Sequence, residues 1–293
     1  MPQLSLLEVQ FPIAPLSLES YIERLPYVGK PLNSLGKWWG SKPLVLTRAI
    51  ILAAVFPASD DPERWPSDLE IFLKCMCLDN AGMWKRKTES LSAELCLPLA
   101  SSVERIELFD DEGKWKKRGI DRSMKEALEK RVFYTMDHTA QREYCCRVEQ
   151  IDGPTSGSWQ EINAYLQTTA TSLPELVQHL SQWRFGSRLT VGDAFSGLGS
   201  IPFEAAEMGC DVNASDLNPV ACLLGGLLTL SATSSVKKSM LNRSVFMTKS
   251  ILGLANRNWN TARRDGERKP IFTVWRWLCR SGMVGVFLFV PVG

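Results

Sequence analysis

The sequence feature that most constrains the fold is an alternation of strand, glycine loop, helix and strand over residues 188–216. A short run of β type ends at Asp193, a glycine-rich loop follows it, and a second run of β type ends at Asp216. The predicted elements are a strand over 188–193, a loop over 195–200, a helix over 201–208, a strand over 210–216 and an apolar helix over 220–230. This alternation is typical of an α/β fold with a parallel sheet.

The glycine loop is the candidate ligand site. Gly197 and Gly199 permit positive φ and a close approach of the backbone to a ligand, and open α/β sheets bind ligands at the carboxyl ends of their strands. Asp216 can accept hydrogen bonds from both hydroxyls of a ribose, and Asp193 can meet an amino group or orient the loop. Structural alternatives stay open: the glycines can form a plain strand–helix turn, and Asp216 can cap the next helix.

Pro202 indicates which nucleoside ligand the loop suits. It occupies the third glycine position of the G-x-G-x-x-G pattern, with which dinucleotide sites bind a pyrophosphate on helix N–H groups. Proline offers no N–H there, and its ring crowds the start of the helix. A ligand without phosphate fits better. This favours S-adenosylmethionine and disfavours a dinucleotide-dependent oxidoreductase.

Two segments carry a resemblance to a known family. The segment DAFSGLGSIPFEAAEMGCDVNASDLNPVACLL (193–224) resembles the cofactor-binding segment of adenine-specific DNA methylases, whose wording is close to D-P-F-x-G-x-G-x-x-P-x-E-A and S-D-x-N-P-V-A. The segment GKWWGSKPLVLTRAIILAAVFP (36–57) is similar to the W-W-x-R-(R/K)-P-L…R-A motif of the domain of unknown function, number 1156, that precedes the methylase fold in that family. Ala194 and Ser41 depart from the family's proline and basic residue.

The resemblance implies a fold, a cofactor and a partner. The fold would be α/β, with a partial Rossmann-like methyltransferase core preceded by a mainly helical N-terminal region. The cofactor would be S-adenosyl-L-methionine and the partner DNA, methylated at adenine N6. The residues implied in cofactor binding are Asp193, Phe195, Gly197, Gly199, Asp216 and Asn218.

The catalytic motif of that family is missing from this sequence. Methylases of exocyclic amines carry (D/N/S)-P-P-(Y/F/W), because an acceptor must hold the poorly nucleophilic amine while an aromatic ring stacks on the flipped base. Of the 16 prolines here, no two are adjacent. We therefore assign no catalytic residue and expect a C-terminally truncated or frameshifted family member that is inactive alone. A non-catalytic remnant that binds cofactor or a partner is the alternative.

Composition and pattern give a domain organisation and exclude several classes. The predicted domains are 1–151 (mainly helical, of unknown function), 152–187 (linker and helix), 188–232 (partial cofactor-binding unit) and 233–293 (aberrant or truncated tail). A net charge of +2 excludes a polybasic tail. Eight cysteines without a C-x-x-C pair exclude a zinc ribbon. No apolar run has the length of a membrane span. Because the cysteine spacing is too irregular for a disulfide framework and the first residues do not form a signal peptide, we expect a reducing, cytoplasmic location.

Two aromatic segments need separate mention. For Trp38 and Trp39 core packing is favoured over a DNA contact. The segment Lys114–Arg118 interleaves a tryptophan with basic residues and can touch phosphates, but a solvated loop is favoured.

Overall fold

The computed structural model describes residues 4–23 and 42–233, with side chains described as far as residue 226. Trp38, Trp39 and Ser41, and the tail over 234–293 including its apolar end, lie outside the described residues. The chain divides into two compact units. One combines Met1–Asp60 with Leu173–Gly293, and the other is Asp61–Ser172. This division does not test the domain boundaries expected from the sequence, which therefore stay a prediction.

The first unit contains six helices and two strands in its described part. They are α1 (Leu6–Val9), α2 (Ile13–Glu23), α3 (Leu44–Val55), α11 (Leu173–Phe185), β1 (Thr190–Asp193), α12 (Ser200–Glu207), β2 (Asp211–Ala214) and α13 (Pro219–Thr233). The second unit contains α4 (Trp65–Cys75), α5 (Asn80–Arg86), α6 (Ala93–Cys96), α7 (Ser102–Leu108), α8 (Arg122–Thr135), α9 (His138–Glu143) and α10 (Ser156–Leu166), with short 3₁₀ turns at Pro62–Arg64, Leu97–Leu99 and Val148–Gln150.

Helix α3 is buried along most of its length. The apolar sequence between Pro43 and Pro57 predicts a helix over Leu44–Val55, and the structure confirms both ends. Pro43 and Phe56 flank it in extended conformation. Nine of its residues are buried, and Arg48 is the one charged residue among the twelve. A helix that is apolar nearly all round belongs in a core, so this charge needs a buried partner.

The N-terminal arm is more helical than expected. The proline- and leucine-rich sequence of residues 1–30 predicts an extended arm with one short helix, but α1 and α2 occupy most of its described part. Pro15 lies in the first turn of α2. Backbone N–H groups in a first turn have no acceptor within the helix, so the N–H that proline lacks is not needed there. Proline there is therefore compatible with the helix.

The two strands pair in parallel. Thr190 lies opposite Asp211, and Asp193 opposite Ala214. The predicted alternation over 188–230 is present, although both strands are shorter than expected. Within the described residues helices dominate, and the sheet has these two strands alone. The structure thus supports a mainly helical chain with a small parallel sheet, and a Rossmann-like core stays a prediction.

The second unit has a hydrophobic core of its own. It includes Met83, Leu108, Leu128 and Phe133, all fully buried. The Gly, Pro and Ser residues of 152–158 predict that the linker of the 152–187 region lies there, but residues 156–158 belong to a helix. Ser156 begins α10, because the Thr155 hydroxyl accepts a hydrogen bond from the Ser158 N–H at 3.1 Å and caps the helix.

Three further observations concern the thiols, the helix lengths and the metal-ligating side chains of the described residues. The cysteines described are free thiols, and Cys75, Cys77, Cys145 and Cys146 are buried or partly buried. Across residues 4–23 and 42–233, no helix is long and apolar enough to cross a membrane. In the same part of the chain, no three His, Cys, Asp or Glu side chains are grouped so that they could hold a metal ion.

Candidate functional site

The glycine loop connects β1 to α12 at the carboxyl end of β1. Gly197 and Gly199 both have positive φ, +52° and +83°. Both are buried, and Gly199 immediately precedes the first residue of α12. The sequence prediction of a loop that uses left-handed backbone at these two positions agrees with this geometry.

Asp216 joins the loop to the end of the second strand. Its Oδ2 accepts a hydrogen bond from the Gly197 N–H at 2.7 Å, and its Oδ1 accepts one from the Asn218 N–H at 2.8 Å. An ionised carboxylate has roughly four acceptor positions. Two of them therefore hold the backbone, and the others are available to hydroxyl donors.

Asp193 and Asn218 organise the backbone next to Asp216. The Asp193 carboxylate accepts from the Phe195 N–H at 3.1 Å, which is the loop-orienting role considered for it. The Asn218 side chain accepts from the Val220 N–H at 2.9 Å. Because α13 begins at Pro219, Asn218 is its N-cap. The cap considered for Asp216 thus belongs to Asn218.

Backbone hydrogen bonds extend the pairing of the two strands into their loops. The Ser215 N–H donates to the Asp193 carbonyl at 2.9 Å, and the Ser196 N–H donates to the Ser215 carbonyl at 3.0 Å. The Cys222 thiol donates to the Asp216 carbonyl at 3.1 Å. The strand ends and the glycine loop are therefore joined by one network of hydrogen bonds.

Two apolar side chains beside the strand ends and the glycine loop are open to solvent. Phe195 is 79% exposed and Leu217 is 80% exposed, and each follows the end of one strand by a few residues. Cys210, at the opposite end of β2, is buried, and this burial raises the pKa of its thiol to about 12. The thiol is therefore neutral near pH 7 and offers no nucleophile.

Helix α13 contacts the loop through Gly225, which was not predicted to be part of the site. A Cβ placed on Gly199 would lie 2.7 Å from the Gly225 Cα. A side chain at 199 would thus collide with the backbone of α13. The sequence carried one signal, since a glycine pair inside an apolar helix costs helix stability and often marks a close backbone approach.

Helix α3 contacts the loop from another direction, through residues that sequence analysis also missed. Arg48 Nε donates to Glu204 Oε1 in α12 at 2.5 Å, and both side chains are buried. Leu44 packs with Leu198 of the loop in a small core that includes Phe203 and Leu224. The Lys42 N–H donates to the Ser200 hydroxyl at 3.1 Å.

Helix α3 is in turn held by α2. The Glu23 carboxylate accepts from the Leu44 N–H at 2.9 Å and from the Val45 N–H at 3.3 Å. A negative charge at a helix N-terminus is favourable, because it satisfies free N–H groups and complements the helix dipole.

The basic and aromatic segment at 114–118 is tied to the core of the second unit. Trp115 stacks on Phe109 with ring centroids 4.6 Å apart, and its indole N–H donates to the Leu91 carbonyl at 3.0 Å. Lys114 pairs with Glu112 at 2.7 Å. The tryptophan is thus a packing residue.

The comparisons with known proteins give one match. The model of a family described as a protein of unknown function (DUF1156) matches residues 10–75. No curated protein and no solved structure matches the chain. The matched segment contains α2, α3 and α4, and therefore the residues that contact the glycine loop from α3.

Proposed function

We propose that the chain binds S-adenosylmethionine at the glycine loop and represents the cofactor-binding part of an adenine-N6 DNA methyltransferase. The observation that carries the proposal is the contact between Asp216 and the Gly197 N–H, which joins the carboxyl ends of two parallel strands around a left-handed glycine turn. Open α/β sheets bind nucleosides at this position.

The residues of the loop fit the parts of that ligand. The free acceptor positions of Asp216 suit the two ribose hydroxyls, and the exposed ring of Phe195 offers an apolar face to adenine. Pro202 is the third residue of α12, so the first helical turn lacks one N–H that a pyrophosphate would use. This argues against a dinucleotide.

DNA as the partner and adenine as the methyl acceptor rest on the resemblance of residues 193–224 and 36–57. The family match over residues 10–75 is consistent with it, because the same domain of unknown function stands in front of the methylase fold in that family. When bound, the cofactor supplies an electrophilic methyl group. The chain's own residues orient the nucleoside beside the loop.

A second candidate is a module that binds the cofactor and transfers nothing. The absence of adjacent prolines from the 293 residues favours it, because the family's amine-holding motif requires such a pair. Both candidates share the same ligand site, so the ligand is the first property to measure.

Calorimetry on the purified chain tests the ligand. We expect S-adenosylmethionine to bind and NAD to bind far more weakly or not at all. Asp216→Ala should weaken binding by about 1–3 kcal/mol, because it leaves ribose hydroxyls and the Gly197 N–H without an acceptor.

The matched control is Asp211→Ala. Asp211 lies at the other end of β2 and pairs with Arg188 at 3.3 Å, away from the loop. Its removal should leave the affinity unchanged. Binding of NAD with no response to S-adenosylmethionine, or equal losses in the two variants, would contradict the proposal.

A further inference from the structure

Helix α3 and the residues just before it contact α12 and the glycine loop at several points. Leu44 and Arg48 are four residues apart and thus share a face of α3. Lys42, two residues before α3, donates to Ser200 at the start of α12, and Arg48 contacts Glu204 one turn further along α12. Leu44 packs with Leu198 of the loop. Together these contacts limit both the distance and the rotation of α12 relative to α3.

The Arg48–Glu204 pair is a costly way to hold two helices together. Arg48 Nε and Glu204 Oε1 lie in side chains that are 10% and 1% exposed. Removal of two charges from water offsets most of their mutual attraction, and well-packed apolar residues often replace such a pair without loss of stability. In some proteins a buried ion pair fixes the register of the elements it joins, because the two charges satisfy each other over a narrow range of geometries.

That register is transmitted directly to the glycine loop. Glu204 lies one turn after Ser200, the first residue of α12, and Gly199 caps the same helix in left-handed conformation. The Phe203 N–H donates to the Gly199 carbonyl at 2.9 Å. A shift or rotation of α12 would therefore move Gly199 and, through the loop, the Gly197 N–H that Asp216 holds.

We propose that the segment Lys42–Val55, within the stretch that matches a family of unknown function, is the platform that positions the glycine loop. Arg48 and Glu204 are its positioning residues. The role rests on the proposed function to the extent that the loop's ligand is S-adenosylmethionine. In this role, a segment that lies within the matched stretch supports a nucleoside site whose loop lies about 150 residues further along the chain.

The test uses the double variant R48M/E204M in the full chain. It measures the stability of the fold and the order of the glycine loop separately. Because the two charges of this pair are removed together, neither is left buried opposite an apolar replacement, and thermal unfolding should stay close to that of the wild type. We expect amide hydrogen exchange across 194–207, measured without ligand, to become about ten-fold faster. S-adenosylmethionine should bind about ten-fold more weakly.

The matched control is K87M/E129M in the second unit. Lys87 and Glu129 form a 2.7 Å pair whose side chains are 11% and 5% exposed, similar in burial to Arg48 and Glu204. This variant should change neither loop exchange nor affinity. R48K provides a second route, because it keeps the buried charge paired but loses the Nε bond. Faster exchange over 194–207 is expected in it even if the double variant fails to fold.

The outcomes are distinguishable. Unchanged loop exchange and unchanged affinity in both R48M/E204M and R48K would overturn the platform role while leaving the proposed ligand in place. A wild-type chain that does not bind S-adenosylmethionine would overturn the proposed function. In that case the exchange measurement alone decides whether α3 positions the loop.

Discussion

Gly199 is the residue at which backbone geometry limits substitution most directly. Its φ of +83° costs a residue with a Cβ about 1–2 kcal/mol, and the Gly225 Cα lies 2.7 Å from where that Cβ would be placed. We expect Gly199→Ala to destabilise the first unit by more than the dihedral cost alone and to weaken ligand binding, since α13 must shift. Denaturant unfolding and calorimetry on one preparation measure both effects.

Two neighbouring glycines provide the controls. A Cβ on Gly225 would meet its nearest atom at 3.5 Å, an ordinary contact, and a Cβ on Gly226 would meet none within 4 Å. Both residues are helical, so alanine should be neutral to stabilising, by up to about 1 kcal/mol. If Gly199→Ala proved as harmless as Gly226→Ala, the close approach of loop and helix would not matter in solution.

The individual roles at the loop differ in how far a single sequence predicts them. The left-handed conformation of Gly197 and Gly199 follows from local chemistry and agrees with the prediction. Asp216 was expected to end the second strand, but β2 ends at Ala214, two residues before it. The separate roles of Asp216 and Asn218 do not follow from the sequence, because either side chain can cap the next helix. The actual start of α13 at Pro219 decides between them.

At the scale of elements, the start of α7 is held by a charge network. Glu104 accepts from the Ser101 N–H at 2.7 Å and from Arg131 Nη2 in α8 at 2.8 Å. The Arg131 hydrogen bond is the largest cause that lowers the pKa of Glu104, to about 2 from an ordinary value of 4.5. Because the folded chain favours the ionised form, this stabilisation is complete above about pH 4.5 and is lost as the pH falls towards 2.

Glu104→Gln should therefore lower stability at pH 7 and flatten its decline between pH 4.5 and 2. The expected cost is about 1 kcal/mol, since Arg131 is half exposed and solvent screens the pair. Denaturant unfolding at several pH values measures it. Glu107→Gln is the control, because Glu107 lies on the same helix, exposed. Identical pH profiles for the two variants would show that the pair with Arg131 contributes nothing.

Helix boundaries were predictable where proline or glycine sets them. The prolines at 43 and 57 bracket α3, and both ends were predicted correctly. Gly209 follows the end of α12 with a φ of +78°, and a glycine just after a predicted helix over 201–208 is the usual signal for its C-terminal end. The prediction of a linker over 152–158 was wrong for its last residues. Gly, Pro and Ser are typical of linkers, but the hydroxyl of Thr155 caps a helix that begins at the next residue.

At the scale of the whole molecule, the contact between distant segments is what the sequence did not disclose. Both motifs were recognisable on their own, yet Arg48 and Glu204 are separated by 156 residues. Periodicity and composition report on neighbours within a helix or strand, and they carry no information about which buried charge meets which. An arginine inside an apolar helix signals that a partner exists, and the fold alone identifies it.

The absence of adjacent prolines leads to the last prediction, that the 293-residue chain binds its cofactor without methylating DNA. An exocyclic amine needs an acceptor that holds it beside the methyl group. Positioning of this kind accounts for several kcal/mol of the barrier, on the order of 7–11, and proton acceptance for about 10²–10⁴-fold in rate. Without both, incorporation of labelled methyl from S-adenosylmethionine into unmethylated DNA should stay at background.

Two controls make that result interpretable. An active adenine methyltransferase on the same DNA establishes that the assay detects transfer. Gly197→Arg fills the loop whose N–H Asp216 holds and should abolish cofactor binding. Incorporation by the wild-type chain that Gly197→Arg removes would contradict the prediction. It would mean that an acceptor of another kind holds the amine in this protein, because the proline-pair motif is not in its sequence.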